Sequence, residues 1–301
     1  MLRRLVTLSL AVAFVLSAAP SASAATKKKK APDSDSSDTA EPFPAYSDTG
    51  LPPVHASAVV VVDAQTGKIL YEHNADEPRS VASTQKLLTS LIVAEHGDLD
   101  AQVTVEAPDT WAEPSMLYIK PGETYRRGDL LRVLLVKSEN DVARCLARDN
   151  AGSVEAFAAR MNAKAAQLGM TNSHFLNPNG LPLAGQHSTA SDMAKLALAA
   201  YRNRTIRSLV CLKETQWRYP SGRVTTFKNT NKVLRNYALC NGMKTGYTEA
   251  AGHCLVSSAA NGSREIICVV LGDTREVWLD SYRLLNWGLA GGSVAANASN
   301  H

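Results

Sequence analysis

The hydrophobic pattern changes period several times along the chain. In "ASAVVVVDAQTGKILYEHNAD" two β-branched runs flank the turn residues Thr66 and Gly67, which predicts a β-hairpin. From Ser83 the spacing becomes helical. Leu87, Leu88, Leu91 and Ile92 mark one apolar face, and Gly97 closes the helix after His96. The middle of the chain is helical throughout. "RRGDLLRVLLVK" reads as amphipathic, and "DVARCLARDN" follows the triplet Ser138-Glu139-Asn140. "SVEAFAARMNAKAAQLG" runs from a Ser cap to Gly169, and "TASDMAKLALAAYRN" opens with Thr189 and Asp192 at capping-box spacing. After about residue 210 the strand pattern returns. "GHCLVSSA" and "REIICVVLGD" flank "ANGS" as a second hairpin, and a last helix covers Glu276 to Leu289. Strands, helices, strands and a final helix predict a mostly antiparallel sheet whose two ends close around a helical insert.

Composition agrees with a folded domain. The 301 residues are 45% hydrophobic, enough for a substantial core, and the formal charge is only +4. No basic stripe with interleaved aromatics is present, so nucleic acid is not an expected partner. The N-terminus reads as an export signal: Arg3 and Arg4, an apolar run from Leu5 to Ala19, then "SASA" with a cleavage site after Ala24. That run is short of the ~20 residues of a membrane span. The alternative is an uncleaved anchor. Residues 25–50 are polar, rich in Pro and Ser, and carry Lys27 to Lys30; they read as a disordered linker. The expected organisation is a signal peptide at 1–24, the linker at 25–50, a catalytic domain at 51–290 and a flexible tail at 291–301. Five cysteines at irregular spacing show no zinc pattern and leave one disulfide or buried free thiols open. Trp111, Trp217, Trp278 and Trp287 read as packing residues, and His187 as a structural or rim residue.

Three short motifs carry candidate chemistry. In Ser83-x-x-Lys86 the two side chains share a helix face, so the amine can reach the hydroxyl. In Ser138-Glu139-Asn140 a short hydroxyl can relay a proton and an amide can hold a carbonyl. In Lys244-Thr245-Gly246 a cation and a hydroxyl on an edge strand suit a carboxylate, and the glycine suits close approach of a substrate backbone. Each motif is common alone. Their order, at a helix start, in a helical middle and before a terminal hairpin, is that of penicillin-interacting serine enzymes.

The chain resembles the serine-type D-Ala-D-Ala carboxypeptidases, the low-molecular-mass penicillin-binding proteins. The likeness extends through "NAKAAQLGMTNSHFLNPNGL", "HSTASDMAKLA", "NTNKVL" and "NGMKTGYTEAAGHCLV". It implies an α/β (α+β) fold of the β-lactamase/transpeptidase-like kind, with an antiparallel sheet flanked by helices and a mainly helical insert. It implies Ser83 as the acylated nucleophile, Lys86 as its base, and Ser138 and Asn140 as the proton network. Lys244, Thr245, Gly246 and Tyr247 would bind substrate, with the Ser83 and Tyr247 amides as the oxyanion hole. It implies peptidoglycan stem peptides as partners, β-lactam antibiotics as inhibitors, no cofactor or metal, no stable membrane anchor and a periplasmic or cell-wall location. Glu139, where many carboxypeptidases carry Gly, is similar to the D,D-endopeptidase branch, and Asn241 stands where Asp is common. Between the second and third motifs Glu155 and Glu214 lack the E-x-x-x-N context of a β-lactamase deacylation loop. A non-catalytic wall-binding module is the remaining alternative.

Overall fold

A computed structural model describes residues 43, 50–273 and 276–294. The expected signal peptide, nearly all of the linker and most of the tail lie outside the described residues. The chain opens with the hairpin β1 (Ala58–Asp63) and β2 (Ile69–His73), then α1 (Lys86–His96). Two short strands, β3 (Gln102–Thr104) and β4 (Thr124–Arg126), precede the helices α2 (Arg127–Lys137), α3 (Asn140–Ala151) and α4 (Val154–Gln167). Next come α5 (Ala190–Arg202) and α6 (Arg204–Val210), the hairpin β5 (Glu214–Arg218) and β6 (Val224–Lys228), and α7 (Lys232–Asn236). The chain closes with β7 (Cys240–Thr248), β8 (Gly252–Ala260), β9 (Glu265–Asp273) and α8 (Val277–Leu289).

The predicted sheet forms. Five antiparallel strands run in the order β2-β1-β9-β8-β7, so the first and last parts of the chain meet at β1 and β9. The period-2 geometry of a strand divides "VVVV" between two cores. Val60 and Val62 face the helical bulk beside Leu87, Leu91 and Val269. Val59 and Val61 face α8 beside Leu284, Leu285 and Val270. β2 and β7 are the edge strands, and β7 packs against the 82–85 turn, α6 and α7.

Three expectations need revision. α2 is not amphipathic: Leu130, Leu131, Val133, Leu134, Leu135 and Val136 are all buried, because α1, α3 and the β5–β6 hairpin surround it. The capping box at Thr189 is half formed. Thr189 Oγ1 accepts from Asp192 N at 3.1 Å, but the Asp192 carboxylate takes Lys195 Nζ, Ser173 Oγ and Asn172 N instead. Trp217 and Trp287 are buried and Trp278 packs against the α8 core, whereas Trp111 is 70% exposed and packs no core. The five cysteines are free thiols, four of them buried. Among the described residues no helix is long and apolar enough to cross a membrane.

The position of α2 generates a stability test. Leu134 is fully buried in the middle of this helix's packing. Leu134→Ala should cost about 2–5 kcal/mol. At roughly 2–4 °C per kcal/mol for a domain of this size, thermal denaturation should show a fall of about 5–15 °C. A fall under 2 °C would contradict the buried placement.

Candidate active site

Ser83 does not lie in an α-helix. It sits in a 3₁₀ turn, Ala82–Gln85, that leads directly into α1. Residues three apart eclipse in that geometry, which sets Lys86 under Ser83 with Nζ 2.6 Å from Oγ. Two glycines clamp the turn. A Cβ on Gly180 would stand 2.1 Å from the Ala82 carbonyl oxygen. A Cβ on Gly246 would stand 2.8 Å from Ser83 N and 2.9 Å from Thr84 N. The structure gives Gly246 a further reason: the nucleophile turn of this chain packs against it.

Lys86 is wholly buried. Its Nζ contacts three oxygens: Ser83 Oγ, Asn140 Oδ1 at 2.7 Å and the Asn179 carbonyl at 2.7 Å. A neutral amine has two N–H groups and one lone pair. Nζ donates to Ser83 Oγ as well as to the two carbonyl oxygens, and the Ser83 hydroxyl lies 3.3 Å from the Asn179 carbonyl that accepts from it. A neutral amine, keeping its N–H groups on the two carbonyls, would turn its lone pair to Ser83. Burial, then the charge of Lys244, holds the Lys86 ammonium well below its usual pKa, while Glu139 and Asp141 pull the other way. The arrangement can thus remove a proton from Ser83.

The second motif fills the gap between two helices. Ser138 is the left-handed cap of α2, at φ 76°, and Glu139 precedes α3. Asn140 Nδ2 donates to the Pro114 carbonyl at 2.6 Å, and its backbone N to that of Ser115 at 2.7 Å. Across the cleft, Lys244 Nζ donates to Ser138 Oγ at 2.7 Å and to the Thr245 carbonyl at 3.0 Å. Burial lowers the Lys244 pKa to about 7, opposed by Glu139. Burial raises the Glu139 carboxyl to about 7. Thr245 Oγ1 lies 2.7 Å from Thr230 Oγ1, and Tyr247 is half-exposed further along β7 beside His253. Ser83, Lys86 and Asn140 thus form one hydrogen-bonded group and Ser138 and Lys244 a second, which meet through the Ser138–Asn140 segment, with Thr245 and Gly246 next to Lys244.

Several neighbours escaped the sequence reading. Asn179 gives a backbone oxygen to Lys86, and Asn177 Oδ1 fixes that turn by accepting from Gly180 N at 2.8 Å. The turn-rich "NPNG" could have marked it. Pro114, Ser115 and Thr230 act through backbone or a lone hydroxyl and left no signal. Elsewhere, His55, Glu276 and Asp280 bring ligand atoms within 4.8 Å of one another by α8. His55 N donates to Asp280 Oδ2 at 2.6 Å, and His55 Nδ1 lies 3.3 Å from Oδ1, which makes a clasp between the chain before β1 and α8.

The peptidase family S11 model, described as D-alanyl-D-alanine carboxypeptidase, matches residues 46–275. The chain belongs to this family. It is 37% identical over 261 residues to the D-alanyl-D-alanine carboxypeptidase DacC of Escherichia coli (strain K12), covering 82% of this chain and 64% of DacC. It is 33% identical over 243 residues to a D-alanyl-D-alanine endopeptidase of the same strain, covering 78% of each chain. The crystal structure of a D-alanyl-D-alanine carboxypeptidase from Mycobacterium tuberculosis H37Rv superposes with a TM-score of 0.76 at 32% identity, covering 83% of this chain and 96% of that one. The antiparallel sheet with flanking helices is therefore the family fold. The chain spans 57% and 64% of the length of two carboxypeptidase relatives, so it matches only part of them.

Two outcomes follow from this geometry. Gly246→Ala should push β7 off the Ser83 turn, lowering thermal stability as well as any reaction at Ser83; a variant with unchanged melting would contradict the close packing of that turn on Gly246. The second concerns pH. Lys244 titrates near 7 in the fold and near 10.5 when unfolded. The unfolded state therefore binds more protons between those values, and stability from this group rises with pH there. The cost is complete below about 7. Urea titrations should show that Lys244→Met is most favourable relative to wild type below pH 7, and that its advantage shrinks on the alkaline side. An advantage that grows with pH would contradict the buried, depressed amine.

Proposed function

We propose that the protein is an exported serine D,D-peptidase acting on peptidoglycan stem peptides, and that it removes the terminal D-Ala. The observation that carries this reading is the wholly buried Lys86 amine, with two carbonyl acceptors and one serine hydroxyl around it. A buried lysine with a depressed pKa beside a serine hydroxyl supports the role of base.

In this reading the Ser83 hydroxyl proton passes to Lys86 Nζ as Oγ bonds to the carbonyl carbon of the penultimate D-Ala. The Ser83 and Tyr247 amides hold the oxyanion, each donor being worth about 3–4 kcal/mol in comparable sites. The C–N bond breaks, and the departing amine takes the proton by way of Lys86, Ser138 and Lys244. Water then cleaves the ester and restores the Ser83 hydroxyl. Lys244 and Thr245 bind the terminal carboxylate, and Asn140 offers its second amide N–H to the substrate. A β-lactam mimics the D-Ala-D-Ala end and leaves its opened ring on Ser83. No cofactor enters these steps. Residues 51–290 make the catalytic domain, residues 1–24 direct export, 25–50 form a linker and 291–301 a tail. The protein then works in the periplasm or at the cell wall.

A second reading is D,D-endopeptidase action on cross-links. It is favoured by Glu139 in the second motif and by the endopeptidase relative, which matches over 78% of both chains. The terminal-carboxylate role of Lys244 and Thr245 favours the carboxypeptidase.

One experiment tests both levels. Mass spectrometry after incubation with benzylpenicillin should place a single adduct on the peptide containing Ser83. Lys86→Arg keeps the charge but cannot act as a neutral base, so it should fold and lose labelling by at least two orders of magnitude. Defined muropeptides should release free D-Ala from pentapeptide. An adduct on another serine, or labelling of Lys86→Arg near the wild-type rate, rejects the mechanism; cleaved dimers without D-Ala release select the endopeptidase.

A further inference from the structure

Backbone strain gathers at the cleft. Among the described residues, five non-glycine positions have positive φ, and four of them, Ala82, Ser115, Tyr118 and Ser138, belong to segments that build the site. Ala82 and Ser138 adjoin or supply the motif side chains. Ser115 offers the carbonyl that fixes the Asn140 backbone. Tyr118 has no such duty, and at φ 60° it is the one bulky aromatic of the set. A large side chain rarely keeps this conformation unless its surroundings enforce it, and enforced strain of this kind gathers at ligand clamps.

The enforcement is visible. Asp141, fully buried and next to Asn140, accepts from Leu117 N at 3.0 Å and from Ile119 N at 3.3 Å. The Tyr118 amide also stabilises that carboxylate. Leu117 and Ile119 are buried on either side, so the segment is anchored at both ends while Tyr118 between them is 69% exposed. Four residues earlier, the Pro114 carbonyl holds the Asn140 amide. The same short segment therefore positions a motif residue and holds out a rigid ring that packs no core. A ring on a fixed backbone loses little freedom on binding, which is why aromatics serve as contact surfaces.

We infer that Tyr118 is a substrate-positioning residue whose ring packs on the part of the peptide upstream of the scissile bond. The inference rests on the D,D-peptidase reading of the cleft. There the β7 wall, through Lys244 and Thr245, takes the terminal carboxylate. The Tyr118 segment, bonded to Asn140 through Pro114 and Ser115 and to Asp141 through Leu117 and Ile119, stands on the Asn140 side and is then left with the upstream residues. Their chemistry is that of an extended peptide with a long side chain, whose aliphatic stem suits an aromatic face.

The test uses the full chain and two probes, diacetyl-L-lysyl-D-alanyl-D-alanine and the shorter acetyl-D-alanyl-D-alanine. Tyr118→Gly removes the ring and is at ease with positive φ, so it should melt no lower than wild type. It should raise KM for the tripeptide at least tenfold with kcat within threefold, and the rise should be at least fivefold smaller for the dipeptide. Tyr118→Phe should restore the tripeptide KM to within threefold of wild type. Equal effects on both probes, no effect on either, or failure of Tyr118→Phe to restore KM overturns the inference. Calorimetric binding of the tripeptide to Ser83→Ala, with Tyr118 and with Tyr118→Gly, separates it from the parent reading. A tenfold weaker Kd with glycine supports the ring contact even if wild type neither hydrolyses peptide nor takes penicillin, which would sink the peptidase reading alone. Equal affinity, or no binding in either background, overturns the ring contact.

Discussion

Burying an amine is the constraint around which this molecule is arranged. An unpaired ammonium in a low-dielectric interior is costly, and the usual release is a lowered pKa together with complete hydrogen bonding. Lys86 receives both. Its acceptors come from α3, through Asn140, and from the turn at Asn179, while the hydroxyl comes from its own 3₁₀ turn. A second buried amine, Lys244, reaches it from the far end of the chain and is tied to Ser138. Neither lysine could be accommodated by local structure alone. The helices and the sheet must be docked before the amines find their partners, so the site and the tertiary fold form together.

The docking depends on glycine as much as on apolar burial. The sheet gives two independent cores, one for the helical bulk and one for α8, and its outer strand must still come close to the start of α1. Gly246 permits that approach from one side and Gly180 from the other, each within a distance at which any Cβ would strike backbone. The nucleophile turn is therefore held by main chain, and Ser83 keeps its place without depending on flexible side chains.

Much of this was legible in the sequence, for identifiable reasons. The two hairpins, the flanking helices and the α8 helix follow from periodicity and turn residues, and the three motifs name the cluster because their side chains do chemistry that others cannot. The misses have a different origin. α2 reads as amphipathic because Arg127, Arg132 and Asp129 break its apolar run, yet Arg127 and Asp129 sit in its first turn and Arg132 reaches Thr215 on β5 while its neighbours cover the rest. The short pieces β3, β4, α6 and α7 are set by tertiary pairing more than by their own composition. Asn179, Pro114 and Ser115 contribute carbonyl oxygens, which every residue has, so no pattern of side chains could reveal them. Trp111 shows the converse, since a large aromatic is assigned to a core by default and only coordinates reveal that it stands in water.

β7 ends the sheet at the side where Gly246 meets the Ser83 turn and Lys244 meets Ser138. An extended ligand placed there would add a sixth strand, held through its own peptide groups. Pairing of this kind is indifferent to which side chains the ligand carries, because only the repeating backbone is read. Discrimination then falls on what the edge cannot supply: the charge at the chain terminus, the handedness of the residues at the nucleophile, and the few contacts from the facing wall. A cleft built on a sheet edge would thus be tolerant of chemical variety along a peptide and leave the choice of ligand to contacts outside the strand pairing.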